Sequence, residues 1–326
     1  MLASLTAREP EGVLYLCRHL SFVSAVVEKI QNPVSPDQVP PLIEALGNIA
    51  SHESMVPPLI SQTNNPPLVP LLQNMLLHAP SSRAARNNGN QNGSHQTLNS
   101  SNNNGGILAS TAWLCGCLLL DAGMDLHPST TVAAKALIPA LMERLGGAGT
   151  GDLSHDEERE IVNALWTGLS RPSQIERQEE QQRRKQQQIF GGATPLVNNG
   201  SAMFNFGPES LSSTAATNSK HPPPIKLPFK VVVPRSTLQA LARMIKSSST
   251  DPDTILSAVH VLDLLVRRSS SQEEYEYDYH QSLLQMMQEE DLPDALEEQV
   301  CDINDSSFEQ AAEVAADLLD DFFYNT

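Results

Sequence analysis

The 326-residue chain is long enough for one long domain or two ordinary ones, and 40% of its residues are hydrophobic, enough for a buried core. Its formal net charge of −17 arises at the C-terminus, because residues 272–326 contain 17 Asp and Glu and no Lys or Arg, whereas residues 1–271 hold 21 acids and 21 bases. Phosphate binding needs clustered Lys and Arg, so this distribution argues against nucleic acid as the main partner.

The sequence gives little indication of secretion, membrane insertion or metal binding. No early segment has the basic-then-apolar order of a signal peptide, and no apolar run reaches membrane-spanning length. We therefore expect no membrane partner, and free thiols in a reducing compartment at Cys17, Cys115, Cys117 and Cys301. Cys115 and Cys117 form a lone C-x-C without a second ligand pair, which favours buried thiols over a zinc site. We expect no cofactor.

Helical periodicity dominates the chain. Apolar residues recur at three- and four-residue spacing, and the one period-two stretch is the short KVVV at 230–233, so the sequence predicts an all-α fold. Two low-complexity insertions interrupt the pattern: residues 82–106, with eight asparagines, and residues 174–222, rich in Gln, Asn and Ser. Neither insertion can bury enough apolar surface to offset its ordering entropy, and we predict loops there.

Four apolar helices, each followed by a polar turn, share a theme. In chain order they read PLIEALGNIASHES, ASTAWLCGCLLLDAG, VNALWTGLSRPS and SAVHVLDLLVRRS. When they are aligned on Asn48, Cys117, Ser170 and Leu264, the spacings are 69, 53 and 94 residues, or 44, 53 and 45 without the two insertions. These values approach the roughly 40–47-residue period of armadillo-type repeats, and shorter amphipathic helices lie between the four. The sequence therefore predicts an armadillo-type α-solenoid of roughly four to five repeats.

The insertions divide this solenoid into three helical parts. The predicted order is N-terminal repeats at 1–81, an Asn-rich insertion at 82–106, repeats at 107–173, a second insertion at 174–222 and C-terminal repeats with an acidic end at 223–326.

Several helix starts are marked by capping residues. Ser154 and Glu157 have the spacing of a capping box, and Asp251 precedes Pro252 as a predicted N-cap. Ser306 and Glu309 predict a second capping box. In the helix that follows, one face is predicted to carry Phe308, Ala312, Ala315, Leu319 and Phe322.

Several of these segments resemble importin alpha, the armadillo-repeat adaptor family of nuclear protein import. LPFKVVVPRSTLQALARMIKSSSTDPDTILSAVHVLDLL is similar to a central repeat of that family, EALGNIASHES and NALWTGLSRPS to its groove helices, and FEQAAEVAADLLDDFF to its last helix. The similar segments cover a little over half of the chain. The resemblance implies a non-enzymatic adaptor of cytoplasm and nucleus that binds Lys/Arg-rich localisation signals of cargo proteins. It also implies importin beta-type transport receptors, or an export receptor at the acidic C-terminus, as further partners.

In that family, a Trp and an Asn four residues later line the binding groove in successive repeats. Carried over, the first repeat has Glu44 and Asn48, the second Trp113 and Cys117, the third Trp166 and Ser170, and the fourth His260 and Leu264. No repeat keeps both members, so the implied signal binding is weakened. The implied peptide contacts are Trp113, Trp166, Asn48, Ser170, Cys117 and His260.

Four of these residues also have a purely structural interpretation. Trp113 and Trp166 are compatible with core packing, Asn48 with a helix end, and His260 with a buried histidine. The chain is accordingly either a diverged import adaptor, whole or as a fragment, or a general armadillo scaffold that has lost signal binding. No nucleophile elbow is present, and GGAGTG at 146–151 lacks the Lys of a P-loop, so no catalysis is expected.

Overall fold

The computed structural model describes most of the predicted helical segments. The described residues are 22–51, 55–56, 59–60, 67–81, 105–120, 128–147, 153–170, 230–247, 249–271, 277–301 and 305–324. Residues 82–104 and 171–229 lie outside the described residues, as does Cys17. With them goes the whole insertion predicted at 174–222 and all of the one predicted at 82–106 except Gly105 and Gly106, which begin a helix.

The described part of the chain is helical and contains no β-strand, which confirms the all-α prediction. Eleven α-helices are described: α1 Phe22–Gln31, α2 Val39–Ala50, α3 Leu68–His78, α4 Gly105–Leu120, α5 Pro128–Gly147, α6 His155–Ser170, α7 Arg235–Lys246, α8 Pro252–Ser271, α9 Tyr277–Glu289, α10 Leu292–Leu296 and α11 Glu309–Leu319. Short 3₁₀ turns at Pro36–Gln38 and Ser306–Phe308 precede α2 and α11, and π-helical turns Glu297–Cys301 and Asp320–Tyr324 follow α10 and α11.

The helices stack in two ladders. In ladder I, α2 packs on α4, α4 on α6, α6 on α8 and α8 on α11. In ladder II, α3 packs on α5, α5 on α7 and α7 on α10. Each ladder I helix also contacts a preceding helix, so the described residues form the five pairs α1/α2, α3/α4, α5/α6, α7/α8 and α10/α11. This repeated pairing confirms the predicted armadillo-type solenoid.

One apolar core runs between the ladders. It is built mainly from Leu, Ile, Val and Ala at three- and four-residue spacing, with the fully buried Leu46, Leu114, Leu165 and Leu262 on successive ladder I helices. Because each helix presents only a stripe of such residues, it can cover that stripe only against its neighbours. The repeats therefore depend on each other for burial.

The predicted helix starts are confirmed at α6 and α8 but not at α11. The backbone amide of Ser154 donates to Glu157 Oε2 at 2.7 Å, and the Glu157 amide returns the bond to Ser154 Oγ at 3.4 Å. Asp251 accepts the Thr254 amide at 3.0 Å and the Thr254 hydroxyl at 2.6 Å.

The capping box predicted at Ser306 and Glu309 is wrong. The preceding Asp305 accepts the Ser307 amide at 2.9 Å and caps a 3₁₀ turn, so Ser306 lies inside that turn. Asp and Ser are both good N-caps for the unpaired backbone amides at a helix start, and here Asp305, one residue earlier, takes that role instead of Ser306. The apolar face predicted for α11 is largely confirmed, with Ala315 and Leu319 buried and Phe308, Ala312 and Phe322 partly buried against the core.

The KVVV stretch forms an extended lead into α7. Val231 and Val233 are buried, whereas Lys230 and Val232 are exposed, as the period-two pattern predicts. The Tyr279 hydroxyl lies against this segment: it accepts the Val233 amide at 2.9 Å and donates to the Val231 carbonyl at 3.3 Å. Tyr279, which belongs to the acidic C-terminal region, therefore packs against the segment that leads into α7.

Asp251 also joins α8 to α6, because the His155 Nε2 atom lies 2.7 Å from Asp251 Oδ2. We expect Asp251→Ala to lower the free energy of unfolding by about 0.5–2 kcal/mol at neutral pH, the usual cost of a lost N-cap. Denaturant unfolding monitored by circular dichroism measures this loss. A variant as stable as the parent protein would show that the cap contributes nothing.

The contribution of the Asp251 carboxylate to stability depends on pH. Burial alone would raise the pKa of Asp251, but hydrogen bonds from Thr254 and His155 outweigh it and hold the pKa below its ordinary value. A carboxyl group whose pKa is lower in the folded state stabilises the protein at pH values above its unfolded-state pKa of about 3.9. This contribution to stability is lost as the pH falls through the folded-state pKa. We expect Asp251→Asn, which keeps the capping oxygen, to differ from the parent less at pH 3 than at pH 6.

Candidate functional site

A surface pocket of about 380 Å³ lies where α2, α4 and α6 meet on ladder I. Its lining residues are Glu44, Asn48, Ala109, Ser110, Trp113 and Glu160. We call it the Glu44–Trp113 pocket. The sequence assigned Asn48 and Trp113 to a peptide-binding surface, and the structure brings these two residues into one pocket from adjacent helices.

The Trp113 side chain is positioned by a glycine on the neighbouring helix. A Cβ atom built on Gly47 would lie 2.1 Å from Trp113 Cζ3 and 2.5 Å from Cη2, far inside van der Waals contact. The six-membered ring therefore lies directly against the α2 backbone, which only a residue without a side chain permits. This contact holds one side of the indole while the rest lines the pocket.

On α2, Glu44 lies three residues before Gly47 and Asn48 directly follows it. Glu44 is exposed and Asn48 is half-buried, one turn later in the helix. The Asn48 carbonyl accepts the Ser51 hydroxyl at 2.8 Å near the end of α2. The Asn48 side chain thus lines the pocket, while its backbone belongs to the helix end.

Glu160 brings a second carboxylate to the pocket from α6. Burial raises its pKa, and a weak pair with Arg159, at 3.5 Å between Arg159 Nη2 and Glu160 Oε1, offsets part of the effect. No Lys or Arg lines the Glu44–Trp113 pocket. A cation entering it would meet two carboxylates, one of them partly desolvated, beside an indole ring.

Cys117, the predicted partner of Trp113 one turn later, is a poor candidate for chemistry. Burial raises its pKa to about 11, and the nearby Glu160 charge adds to the effect. Burial also raises the pKa of Cys115, which is fully buried. Cys115 and Cys117 form no disulfide, and at neutral pH they carry protons that make them weak nucleophiles and poor metal ligands.

Trp166 lies outside the Glu44–Trp113 pocket and stacks on His260 of α8. The ring centroids are 4.7 Å apart and the planes differ by 3°. One turn earlier on both helices, the Ser257 hydroxyl donates to Asn163 Oδ1 at 2.7 Å. The structure therefore brings these two predicted contacts together with each other, rather than with Asn48 and Trp113.

Ser170 is exposed at the last residue of α6. Its hydroxyl donates to the Thr167 carbonyl at 3.5 Å, while the Thr167 hydroxyl donates to the Asn163 carbonyl at 2.8 Å. These bonds are local to the helix. Ser170 thus caps its own helix end in the structure.

Sequence reasoning missed five site residues: Glu44, Gly47, Ala109, Ser110 and Glu160. A signal for Glu160 was present, since Glu160, Asn163, Thr167 and Ser170 form a polar stripe at three- and four-residue spacing that continues into the apolar C-terminal half of α6. Gly47 gives no such signal, because its role depends on an indole that approaches from another helix.

Neither a metal-binding cluster nor a membrane-spanning helix occurs among the described residues. Within those ranges, no three His, Cys, Asp or Glu side chains are grouped so as to hold a metal ion. No helix among them combines the length and apolar character that crossing a membrane requires.

The chain is similar in structure to known proteins, but its sequence matches no protein family. No protein-family model matches the chain, and no curated protein matches it. An engineered protein is similar in structure at 14% identity and a TM-score of 0.53, over 98% of this chain and 89% of that one. A computationally designed armadillo-repeat protein for modular peptide recognition is similar at 13% identity and a TM-score of 0.52, over 97% and 90%. The fold of this chain is therefore armadillo-like.

Proposed function

We propose that the chain is a non-catalytic armadillo scaffold that binds an extended segment of a partner protein and holds one Lys or Arg side chain in the Glu44–Trp113 pocket. The observation that carries the proposal is the meeting of a half-buried Glu160 carboxylate, Glu44 and the Trp113 indole in one pocket without a lining cation. Carboxylates favour a positive charge, and an aromatic face attracts it further.

The shape of a lysine or arginine side chain suits this surface. Its apolar stem can lie along the indole, while the charged head reaches the carboxylates at the rim. Asn48 supplies an amide that can donate to a carbonyl and accept from an amide of an extended backbone. The partner segment would be unfolded before binding, because only an extended chain exposes both its backbone and alternate side chains.

Structural similarity supports peptide binding in a general way. One similar protein was designed for modular peptide recognition on armadillo repeats. The ladders of the present chain offer the same kind of stacked helical surface. We infer that its partners are proteins with exposed basic segments.

A narrower second candidate is an adaptor in nuclear protein import, working in cytoplasm and nucleus. It is favoured by the pairing of Trp113 with Asn48 across adjacent helices, since the resemblance to importin alpha implies a Trp/Asn surface for basic signals. In that case the acidic C-terminal region would contact transport receptors. A matched pair of peptides, one a lysine-rich localisation signal and one a scrambled sequence of the same charge, separates the two candidates.

We expect Trp113→Ala and Glu160→Gln each to weaken binding of a labelled lysine-rich peptide about twofold to fivefold. This range follows from about 0.5–1 kcal/mol for an exposed cation–π contact or a partly exposed ion pair. Fluorescence anisotropy at low salt measures the affinity, and higher salt should weaken it. Glu143→Gln on the exposed side of α5 is the matched control.

A peptide of the same length with Glu in place of Lys should not bind. Equal affinity of the parent, Trp113→Ala and Glu160→Gln would place the binding surface elsewhere on the solenoid. Equal binding of the acidic peptide would remove the electrostatic basis of the proposal.

A further inference from the structure

The stack of Trp166 on His260 fills a position where a cation could lie. Cation–π contacts place the charge over the ring within about 6 Å of its centroid. The imidazole of His260 already lies there, 4.7 Å from the indole centroid and parallel to it within 3°. Both residues are only partly buried, so the stacked pair lies at the surface of ladder I rather than in the core.

Neighbouring contacts hold the two rings together. The bond from Ser257 Oγ to Asn163 Oδ1, at 2.7 Å, joins α6 to α8 one turn before the stack. The indole also packs against the apolar core, which limits its movement. The helix segments that carry the two rings are therefore held together, and the imidazole covers this face of the indole.

We propose that His260 closes a second cation-binding position on Trp166, so that the surface accepts a basic side chain at Trp113 and excludes one at Trp166. This inference rests on the proposed function of the Glu44–Trp113 pocket. His260 is then a specificity-determining residue: it restricts the surface to partners that present one basic side chain here. The residue acts by filling space and needs no change of its own charge.

The electrostatic surroundings make the opened position weaker than the first. On α8, the nearby Asp263 is already paired with Arg267, at 2.6 Å between Asp263 Oδ1 and Arg267 Nε. Glu160 lies on the same helix as Trp166 but six residues earlier, which corresponds to about 9 Å along the axis. Uncovering the indole would therefore add mainly a cation–π contact.

The test uses the two tryptophans of the chain as separate reporters. The indole N–H signals of the ¹⁵N-labelled full-length protein are assigned with Trp113→Phe and Trp166→Phe, and n-butylammonium, which mimics a lysine side chain, is titrated at neutral pH. In the parent protein, we expect the Trp113 signal to move and the Trp166 signal to stay. In His260→Ala, both signals should move, the Trp166 signal at higher concentrations.

His260→Phe is the matched control, because a phenyl ring keeps the indole covered and should leave the Trp166 signal unmoved. If His260→Ala does not fold, His260→Gln removes the aromatic cover with a helix-compatible side chain. Against a peptide with two lysines rather than one, uncovering should improve affinity about twofold to fivefold.

The outcomes of this titration distinguish the role proposed for His260 from the function proposed for the Glu44–Trp113 pocket. A Trp166 signal that moves in the parent protein, or stays in both His260→Ala and His260→Gln, overturns the role of His260. A Trp113 signal that does not move contradicts the proposed function of the Glu44–Trp113 pocket, and the Trp166 response still decides whether His260 covers a cation position.

Discussion

Gly146→Ala is expected to be about 1–3 kcal/mol less stable than Gly147→Ala, the usual cost of overpacking a close helix contact. A Cβ atom on Gly146 of α5 would lie 2.4 Å from Ser236 Oγ and 2.7 Å from the Ser236 carbonyl carbon and the Thr237 nitrogen. The serine hydroxyl can rotate away, but the two backbone atoms belong to the first turn of α7. The two ladder II helices must therefore separate.

A neighbouring bond resists that separation. The Thr237 hydroxyl donates to the Met142 carbonyl at 2.9 Å, one turn before Gly146, in a fully buried position. Moving α7 outward strains or breaks this bond, and a buried hydroxyl without a hydrogen-bond partner lowers the free energy of unfolding further.

Gly147 is a close control because it lies in the same turn of α5 and a Cβ there meets no atom within 4 Å. Both substitutions replace glycine with a better helix former, so their difference isolates the contact with α7. Urea unfolding of the three proteins under one condition measures it. Equal stability of the two variants would show that α5 and α7 adjust without cost.

Gly47→Ala is expected to have the second large effect, on both stability and binding. The added methyl group would overlap three carbon atoms of the Trp113 ring at 2.1–2.8 Å. Either α2 and α4 move apart, at about 1–3 kcal/mol of stability, or the indole leaves its place and the Glu44–Trp113 pocket loses a wall. In both cases, the affinity for a lysine-rich peptide should fall to that of Trp113→Ala or below.

Gly106→Ala is the control for this substitution, since a Cβ at Gly106 on α4 meets only Pro40 atoms at 3.8–3.9 Å, which is ordinary contact. Thermal unfolding and peptide anisotropy should show a nearly unchanged protein for Gly106→Ala. A Gly47→Ala protein with unchanged stability and unchanged binding would mean that the indole moves freely and does not form the pocket.

The sequence predicts the parts of this molecule that depend on local pattern. Apolar spacing locates the helices, and the repeat of the pattern near 45 residues indicates a solenoid. Ser154 and Glu157 form the predicted capping box, because a cap needs only residues within one turn. The alignment of Asn48 with Cys117 and Ser170 correctly places the three residues on successive ladder I helices.

Features that depend on which helices meet could not be predicted in this way. The Trp/Asn alignment treats Trp113 and Trp166 as equivalent, yet one lies against a glycine of α2 and the other under an imidazole of α8. The burial of Glu160 likewise arises from the packing of α6 against α4. At Ser306 and Glu309 the local pattern itself was ambiguous, because Asp305 is an equally good cap.

The chain path through the ladders has a consequence for folding. Helix α6 ends at Ser170 and α7 begins at Arg235, so 64 residues separate the third helix pair from the fourth. Docking the two sides brings together ends that are far apart along the chain, whereas connections of about 4–6 residues are usual in compact domains. The helix pairs before and after this connection can form from local contacts, whereas their association is entropically the most demanding step. Cutting the chain within this connection would make that association bimolecular, and two fragments that rejoin through α5–α7 and α6–α8 would have a stability that depends on protein concentration.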